Sequence, residues 1–456
     1  MLKVIFQTIK NRTLIDENNL KNYLSNTSWL SLERAFRVAV SFFVGIYVAR
    51  FLGPEKFGLL SYAISFSSFF SALTTLGLEG ILVKELVHTP QKQGILVATA
   101  FYLKTCGALL SLVFIVFSLL IVPHDSSANP LILICTFAFL FQSFNVIELF
   151  FQSKIFSKYV VFAQLVQIVI SAIIKLAFIF FKMPLAWFAW ALVFDSIILA
   201  IGMSVVYFKY STLKNILHFD SFIARKLVLC SFPLFLSEIA IAIYMRIDQI
   251  MIKSFLTDRV LGCYAAAVII CESFYFIPLA ILRTFFPVIL NNKKESETLY
   301  YKNLQKLYDL MVIISFFISI LITIAADKIV LIFFGTEFRD AIPVLRIYVW
   351  ASIFVFLGAA NERWLWAENL QRYAFYRTLG GCFLSVGLNL ILVPWLNIQG
   401  AAITAFISFG FVSCISFLLF KPTRNHFFAV SRSLNILSGS KRIFQLSLGN
   451  KNEKYF

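Results

Sequence analysis

Residues 105–122, TCGALLSLVFIVFSLLIV, run for eighteen positions without one charged side chain. At about 1.5 Å per residue a helix of that length rises about 27 Å, close to the thickness of a hydrocarbon core of about 30 Å. Similar runs recur from end to end of the 456-residue chain, which is 60% hydrophobic, holds 53 Phe and carries only 14% charged residues. An average soluble domain has about 25% charged residues, so an ordinary soluble protein is excluded. In lipid every backbone N–H and C=O must find its partner within the chain, which leaves helices or a closed barrel. Continuous apolar runs, in place of alternating ten-residue segments, select helices.

Breaks at Pro, Gly and charge clusters place about twelve transmembrane helices near 29–51, 57–81, 95–121, 130–151, 159–181, 185–208, 227–252, 261–289, 308–334, 341–366, 373–395 and 399–420. The expected fold is therefore an all-α polytopic membrane protein of two six-helix bundles. Its segments are a cytoplasmic N-terminal stretch 1–28, a first bundle 29–208, a cytoplasmic linker 209–226, a second bundle 227–420 and a basic cytoplasmic tail 421–456. The net charge of +17 lies in the loops. With both termini inside, the inner segments hold Lys3, Lys10, Arg12 and Lys21, then Lys84 and Lys92, Lys154 and Lys158, Lys209 to Lys226, Lys293 to Lys306, Arg363 to Arg377 and the tail cations. The outer segments keep far fewer, among them Arg50, Lys56, Lys182, Lys253, Arg259 and Arg339. One miscounted helix would invert every later loop, so a bias kept throughout supports the even count. It also explains the positive charge without nucleic acid as a partner.

The seven cysteines (Cys106, Cys135, Cys230, Cys263, Cys271, Cys382, Cys414) fall inside apolar spans without metal-ligand spacing and read as packing residues. The first thirty residues are too polar for a signal peptide, and no cleavage is expected. The outer loops are short, with little more than PHDSSANP between helices three and four, which leaves no room for an extramembrane catalytic domain.

The chain also repeats itself. FLGPEKFGLLSYA (51–63) matches FLTDRVLGCYAAA (255–267), with Phe51, Leu52 and Gly58 answering to Phe255, Leu256 and Gly262. KYVVFAQ at Lys158 is a weaker echo of RYAFYRT at Arg372. Two halves that start on the same membrane side are parallel repeats, an arrangement transporters use to build a central site. VARFLGPEKFGLLSYAISF with Gly77-Leu78-Glu79, then FPLFLSEIAIAIYMRIDQIMIKSFLTDRVLGCYAAAVIICESFYFIP, then LNLILVPWLNIQGAAITAFIS closely resemble the polysaccharide transporter family (Wzx-type O-antigen or repeat-unit flippases) of the multidrug/oligosaccharidyl-lipid/polysaccharide superfamily. The resemblance spans roughly residues 25–420, and RIDQIMI followed by G-x-YAAA is its most specific part. It implies a central cavity between two bundles in the cell inner membrane. It also implies alternating access and movement of an undecaprenyl-diphosphate-linked glycan from the inner to the outer leaflet. A polysaccharide polymerase and chain-length proteins are the companions it suggests; no resident cofactor is expected, and the driving ion, H⁺ or Na⁺, stays open.

An ionisable side chain near the bilayer centre costs about 2.5–3.5 kcal/mol on insertion scales, so each one is a functional candidate. A diphosphate head crossing a region of low dielectric needs its charge compensated. Arg suits this because its planar fork grips phosphate oxygens twice, while Lys acts as a point charge. The candidate cations are Arg34, Arg37, Lys104, Lys175 and Arg246, the last four read as a ladder across the midplane and Arg34 as phosphate capture at the cytoplasmic entrance. Alternatives stay open beside each. Arg37 is spaced i, i+4 from Glu33 and can pair with it. Arg34 and Lys175 can snorkel, and Arg283 reads as an anchor at the inner interface. Arg246 and Asp248 are two apart and point to different helix faces. Glu148, Asp195, Glu238, Asp248 and Glu272 are candidates for ion coupling, or for satisfying a neighbouring cation. Pro184, Pro233, Pro278 and Pro287 lie in or beside spans, where they kink helices of rocking bundles or are simply tolerated.

No enzyme constellation emerges. There is no G-x-x-x-x-G-K-[ST] loop, and His88, His124, His218 and His426 have no metal spacing. The tail FFAVSRSLNILSGSKRIFQLSL reads either as an interfacial helix on the anionic inner leaflet or as a plain disordered end. The rival functions are a drug/cation antiporter, which favours an acidic cavity, a lipid II flippase, which typically carries two further helices, and a membrane polymerase or glycosyltransferase, which needs a long outer loop or an acidic catalytic motif.

Overall fold

The computed structural model describes residues 17–121, 126–154, 156–211 and 218–449. Lys3, Lys10, Arg12, His124, Lys214, Lys451 and Lys454 lie outside the described residues. The first half of the chain forms α1 (Glu17–Ser68), the short α2 (Ser71–Thr75), α3 (Leu78–His88), α4 (Gln93–Ile121), the consecutive short helices α5 (Asn129–Phe137), α6 (Phe139–Gln142) and α7 (Asn145–Ser153), then α8 (Ser157–Phe180) and α9 (Leu185–Tyr210). The second half forms α10 (Ser221–Phe255), α11 (Asp258–Glu272), α12 (Phe276–Glu295), α13 (Glu297–Ile329), α14 (Ala341–Ala367) and α15 (Gln371–Ser413), and the tail forms α16 (Arg424–Ser433) and α17 (Ile436–Gly449). No strand occurs among the described residues.

Ten stretches of helix among the described residues are long and apolar enough to cross a membrane. The difference from the expected twelve lies at two places where expected pairs join. Helices 29–51 and 57–81 run together through Gly53, a residue at φ +71 followed by Pro54. Helices 373–395 and 399–420 run together through Asn397 at φ +54. Both stretches fold back on themselves there. Arg37 and Ile64 line one cavity, although a straight helix would hold them about 40 Å apart. Arg377 Nε likewise donates to the Val412 carbonyl oxygen at 3.1 Å across 35 residues. Proline removes the N–H that would continue the ladder, and Gly and Asn accept positive φ at low cost.

Other boundaries moved for local reasons. The expected helix 57–81 stops at Ser68 and resumes as α2 and α3, which are separated from each other by Leu76 and Gly77, both at positive φ. The expected linker is shortened because α10 already starts at Ser221, where the Asp220 carboxylate accepts from the Phe222 and Ile223 amides at 2.8 and 3.1 Å. Pro184 precedes α9, whereas Pro233 and Pro287 sit inside α10 and α12.

The surface is inverted relative to a soluble protein. Leu120, Phe180, Phe222, Ile324 and Trp395 point outward at 76–81% exposure, an apolar exterior that only lipid tolerates. Lipid is as apolar as leucine, so packing and close backbone approach drive association inside the bundle. The Tyr264–Ala267 run of α11 is buried against Ala49, Leu60 and Ala63 of α1 in the core shared by the two halves. Two further cores lie to either side, the first of them closed by Ile223 and Leu227 of α10. One gathers Leu78, Leu82 and Leu86 of α3 with Val97, Phe150 and Met203. The other gathers Leu304 and Met311 of α13 with Phe356, Leu357 and Phe417.

The tail, read as either interfacial or disordered, is a helical pair docked on the second half. His426 is buried, stacked on Trp364 at 3.6 Å between ring centres and within 2.9 Å of the Tyr308 hydroxyl. The guanidinium of Arg442 grips the fully buried Asp309 carboxylate at 2.7 and 2.8 Å.

Candidate functional site

The two halves meet where α10 packs on α2, α3 and α4. Gly77 makes this possible. It holds φ +63, and a Cβ there would come within 2.5 Å of the Phe235 amide nitrogen and 2.9 Å of the Ser231 carbonyl oxygen of α10. Only glycine meets both demands. One turn away the Thr75 hydroxyl donates to the Glu238 carboxylate, a hydrogen bond from the first half to the second.

Lys104 lies against this seam. Its side chain is 1% exposed and has no hydrogen bond or ion pair among the described residues. Glu79, Glu238 and Glu148 stand within electrostatic reach of it. Two of these are expected coupling acids; Glu79 went unrecognised as a site residue although its Gly77-Leu78-Glu79 triplet stood out. Glu148 accepts from the Gln164 amide at 3.2 Å and feels Arg37 and Glu33 of α1.

Beyond Glu148 three exposed arginines converge from three helices. Arg283 of α12 stands within electrostatic reach of Arg34 of α1 and Arg363 of α14. None of the three has an ion pair or side-chain hydrogen bond among the described residues. Glu33 and Glu148 are the acids within reach of Arg283, and Glu33 is already paired with Arg37, so positive charge is in excess here and attracts an anion. The sequence reading placed Arg34 here but took Arg283 for an anchor and Arg363 for a loop charge, since helix-end cations look alike along the chain.

The remaining candidates fall into separate groups and do not form one ladder. Arg37 pairs with Glu33 at 2.7 Å, the i, i+4 alternative, and still lines a cavity of about 290 Å³ with Lys175 and Asp195. Lys175 is engaged there by Asp195 at 2.6 Å and Ser171 at 2.9 Å, so its charge is already met. Arg246 is paired with Glu272 at 3.2 Å in the second half. Asp248 points elsewhere, as the two-residue spacing requires, and accepts from the Tyr264 hydroxyl and from the Gln249 amide at 2.8 Å. No group of three or more His, Cys, Asp or Glu with metal-holding geometry occurs among the described residues.

The comparisons agree with this architecture. An inward-facing multidrug resistance MATE transporter of the MOP superfamily superposes with a TM-score of 0.69 at 13% identity, over 88% of this chain and 99% of that one. The lipid II flippase MurJ in an inward closed conformation gives 0.68 at 13% identity, over 89% and 90%. An outward-facing MATE transporter of the same superfamily gives 0.59 at 12% identity, over 89% and 96%. The similar structures are transporters, and likeness at this identity carries the fold. No curated protein sequence matches the chain. The polysaccharide biosynthesis protein family matches residues 23–293. The chain therefore belongs to the polysaccharide biosynthesis protein family, and its multi-pass helical fold is like that of the MATE and MurJ structures.

Proposed function

We propose that this protein carries an undecaprenyl-diphosphate-linked oligosaccharide repeat unit from the inner to the outer leaflet of the cell inner membrane by alternating access. In this reading the helices make twelve passes, both termini are cytoplasmic, and the protein is a carrier without catalytic chemistry of its own. The observation that supports it is the convergence of Arg34, Arg283 and Arg363 from both halves, none of them held in an ion pair among the described residues, with only Glu33 and Glu148 as acids in reach of Arg283. A diphosphate has the charge and the oxygen geometry to occupy that place, because each guanidinium offers paired donors. Lys104, held where the halves meet, shares Glu148 with Arg283 as an acid in reach, so a head leaving the arginines finds a further cation to compensate it in the low-dielectric centre. The polyprenyl chain stays in lipid throughout. Asp248 and Glu272, beside Arg246 and Tyr264, are the acids proposed to couple H⁺ or Na⁺ movement to the cycle.

Glu79, Glu148 and Glu238 around Lys104 favour a second reading, export of an organic cation by the same fold. One experiment separates the two. The purified protein is placed in vesicles with a fluorescent polyprenyl-diphosphate glycan, and flipping is read as loss of the signal that an impermeant quencher can reach. Flipping of the anionic lipid, reduced in Arg34→Ala/Arg363→Ala, supports the flippase. Transport of a cationic dye with no lipid flipping overturns it in favour of the antiporter.

A further inference from the structure

A second cationic site lies away from the seam, between α13 and the tail. Lys302 and Lys306 of α13 face Arg432 and Arg442 of the tail across a cavity of about 680 Å³, whose walls also include Tyr301 and Phe428. Its charge is unbalanced. Arg442 is taken by Asp309, and Lys306 reaches only the neutral Asn303 oxygen at 3.4 Å. Lys302 and Arg432 have no side-chain partner among the described residues. Lys302 and Lys306 are one turn apart on a helix, where like charges destabilise each other, and Arg432 adds a third.

The depth of the cavity defines its ligand. The apolar stretch Glu297–Phe334 has 38 residues, whereas about 20 suffice to cross the hydrocarbon core. Its first turns, with Lys302 and Lys306, therefore project beyond the acyl chains into the headgroup layer. Tyr301 and Phe428, 44% and 56% exposed, offer the apolar edge that an acyl chain meets at that level. The sequence assigns this end to the cytoplasmic face, where anionic lipids concentrate and basic pockets bind their headgroups.

We propose that this cavity binds the phosphate headgroup of an anionic phospholipid, bridging α13 to the tail. Full-length protein in mild detergent is titrated with phosphatidylglycerol or phosphatidylcholine, and bound lipid is counted by native mass spectrometry. Phosphatidylglycerol is expected to be retained preferentially, and Lys302→Gln/Lys306→Gln/Arg432→Gln is expected to weaken its retention by about tenfold or more. Lys56→Gln/Lys182→Gln, expected at the opposite membrane face, should leave it unchanged. Lys302→Arg/Lys306→Arg/Arg432→Lys keeps the charge and should keep the lipid, which separates loss of charge from loss of fold. Equal retention of the two lipids, retention undiminished in the glutamine variant, or loss in the charge-keeping variant overturns the proposal. Displacement of the lipid by inorganic phosphate reassigns the cavity to a free anion and overturns it as well.

Discussion

Gly58 and Gly262, equivalent positions of the sequence repeat, face each other in the structure. A Cβ on Gly58 would come within 1.9 Å of the Asp258 carbonyl oxygen and 2.8 Å of the Gly262 nitrogen, and one on Gly262 within 1.8 Å of the Pro54 carbonyl oxygen. Pro54 and Asp258 stand at the same offset in the repeat, so the contact is quasi-symmetric. It brings α1 and α11 together next to the places where each half turns, at Gly53 and at Leu256–Thr257.

Replacing either glycine by alanine forces these backbones apart, at a cost of about 1–3 kcal/mol for overpacking. The adjacent Cys263, fully buried in the native chain, is the reporter. Gly262→Ala is expected to lower the melting temperature and to speed labelling of Cys263 by an impermeant maleimide, read on its peptide by mass spectrometry. Native labelling rates in both glycine variants would mean that the helices separate here without cost.

The arginine cluster and Lys104 should differ kinetically. Arg283→Ala weakens capture of the diphosphate head and raises the half-saturating lipid concentration by about tenfold, the loss of one charge-assisted contact of about 1.5 kcal/mol. Lys104→Met removes compensation during crossing and lowers the maximal flipping rate by at least as much. The vesicle assay with varied lipid concentration reads both, and equal effects on the same parameter would contradict the assigned order.

Arg246→Ala leaves Glu272 without its partner at a half-buried position, the two side chains being 30% and 24% exposed, so the loss is smaller than the about 3–5 kcal/mol of a fully buried pair. Thermal unfolding in detergent should show a drop in melting temperature. Arg246→Met/Glu272→Leu should restore most of it, since neither charge is then left alone. Persistent instability of the double variant would show that Arg246 does more than balance Glu272.

The tail should release in acid. Burial, and the nearby Arg377 cation, hold His426 well below the ordinary imidazole range. The released tail therefore binds a proton near pH 6.5 that the docked tail refuses. Docking stability is fully present above that pH and is lost as the pH falls below it, by up to about 1.4 kcal/mol per unit. Hydrogen exchange of residues 424–433, normalised to the intrinsic rate at each pH, should accelerate between pH 7 and 5. His426→Gln should abolish that pH dependence, and a native profile in the variant would assign it elsewhere.

Much of the architecture was legible because it depends on short-range properties. Apolar length showed in runs such as 105–122, and the repeat set Gly58 against Gly262, although that the two glycines touch came only from the structure. The Glu33–Arg37 pair was legible too, being four residues apart on one helix face. The turns at Gly53 and Asn397 were correctly placed as boundaries between helices. The docked tail was not legible, because the aromatic box that receives His426 is assembled from Tyr308, Trp364 and Phe417 on separate elements.

Taken alone, the chain determined its solvent, its helices and its two-fold internal repetition, since all three follow from hydrophobic length and local backbone preference. Only the tertiary structure decided which charges are already neutralised and which stand free. Lys175 finds Asp195 across 20 positions, Arg246 finds Glu272 across 26, and Thr75 reaches Glu238 across 163. The physical reason is range: helical spacing fixes neighbours only within about a turn, while electrostatic partnership in a low-dielectric bundle is settled by which helices pack together.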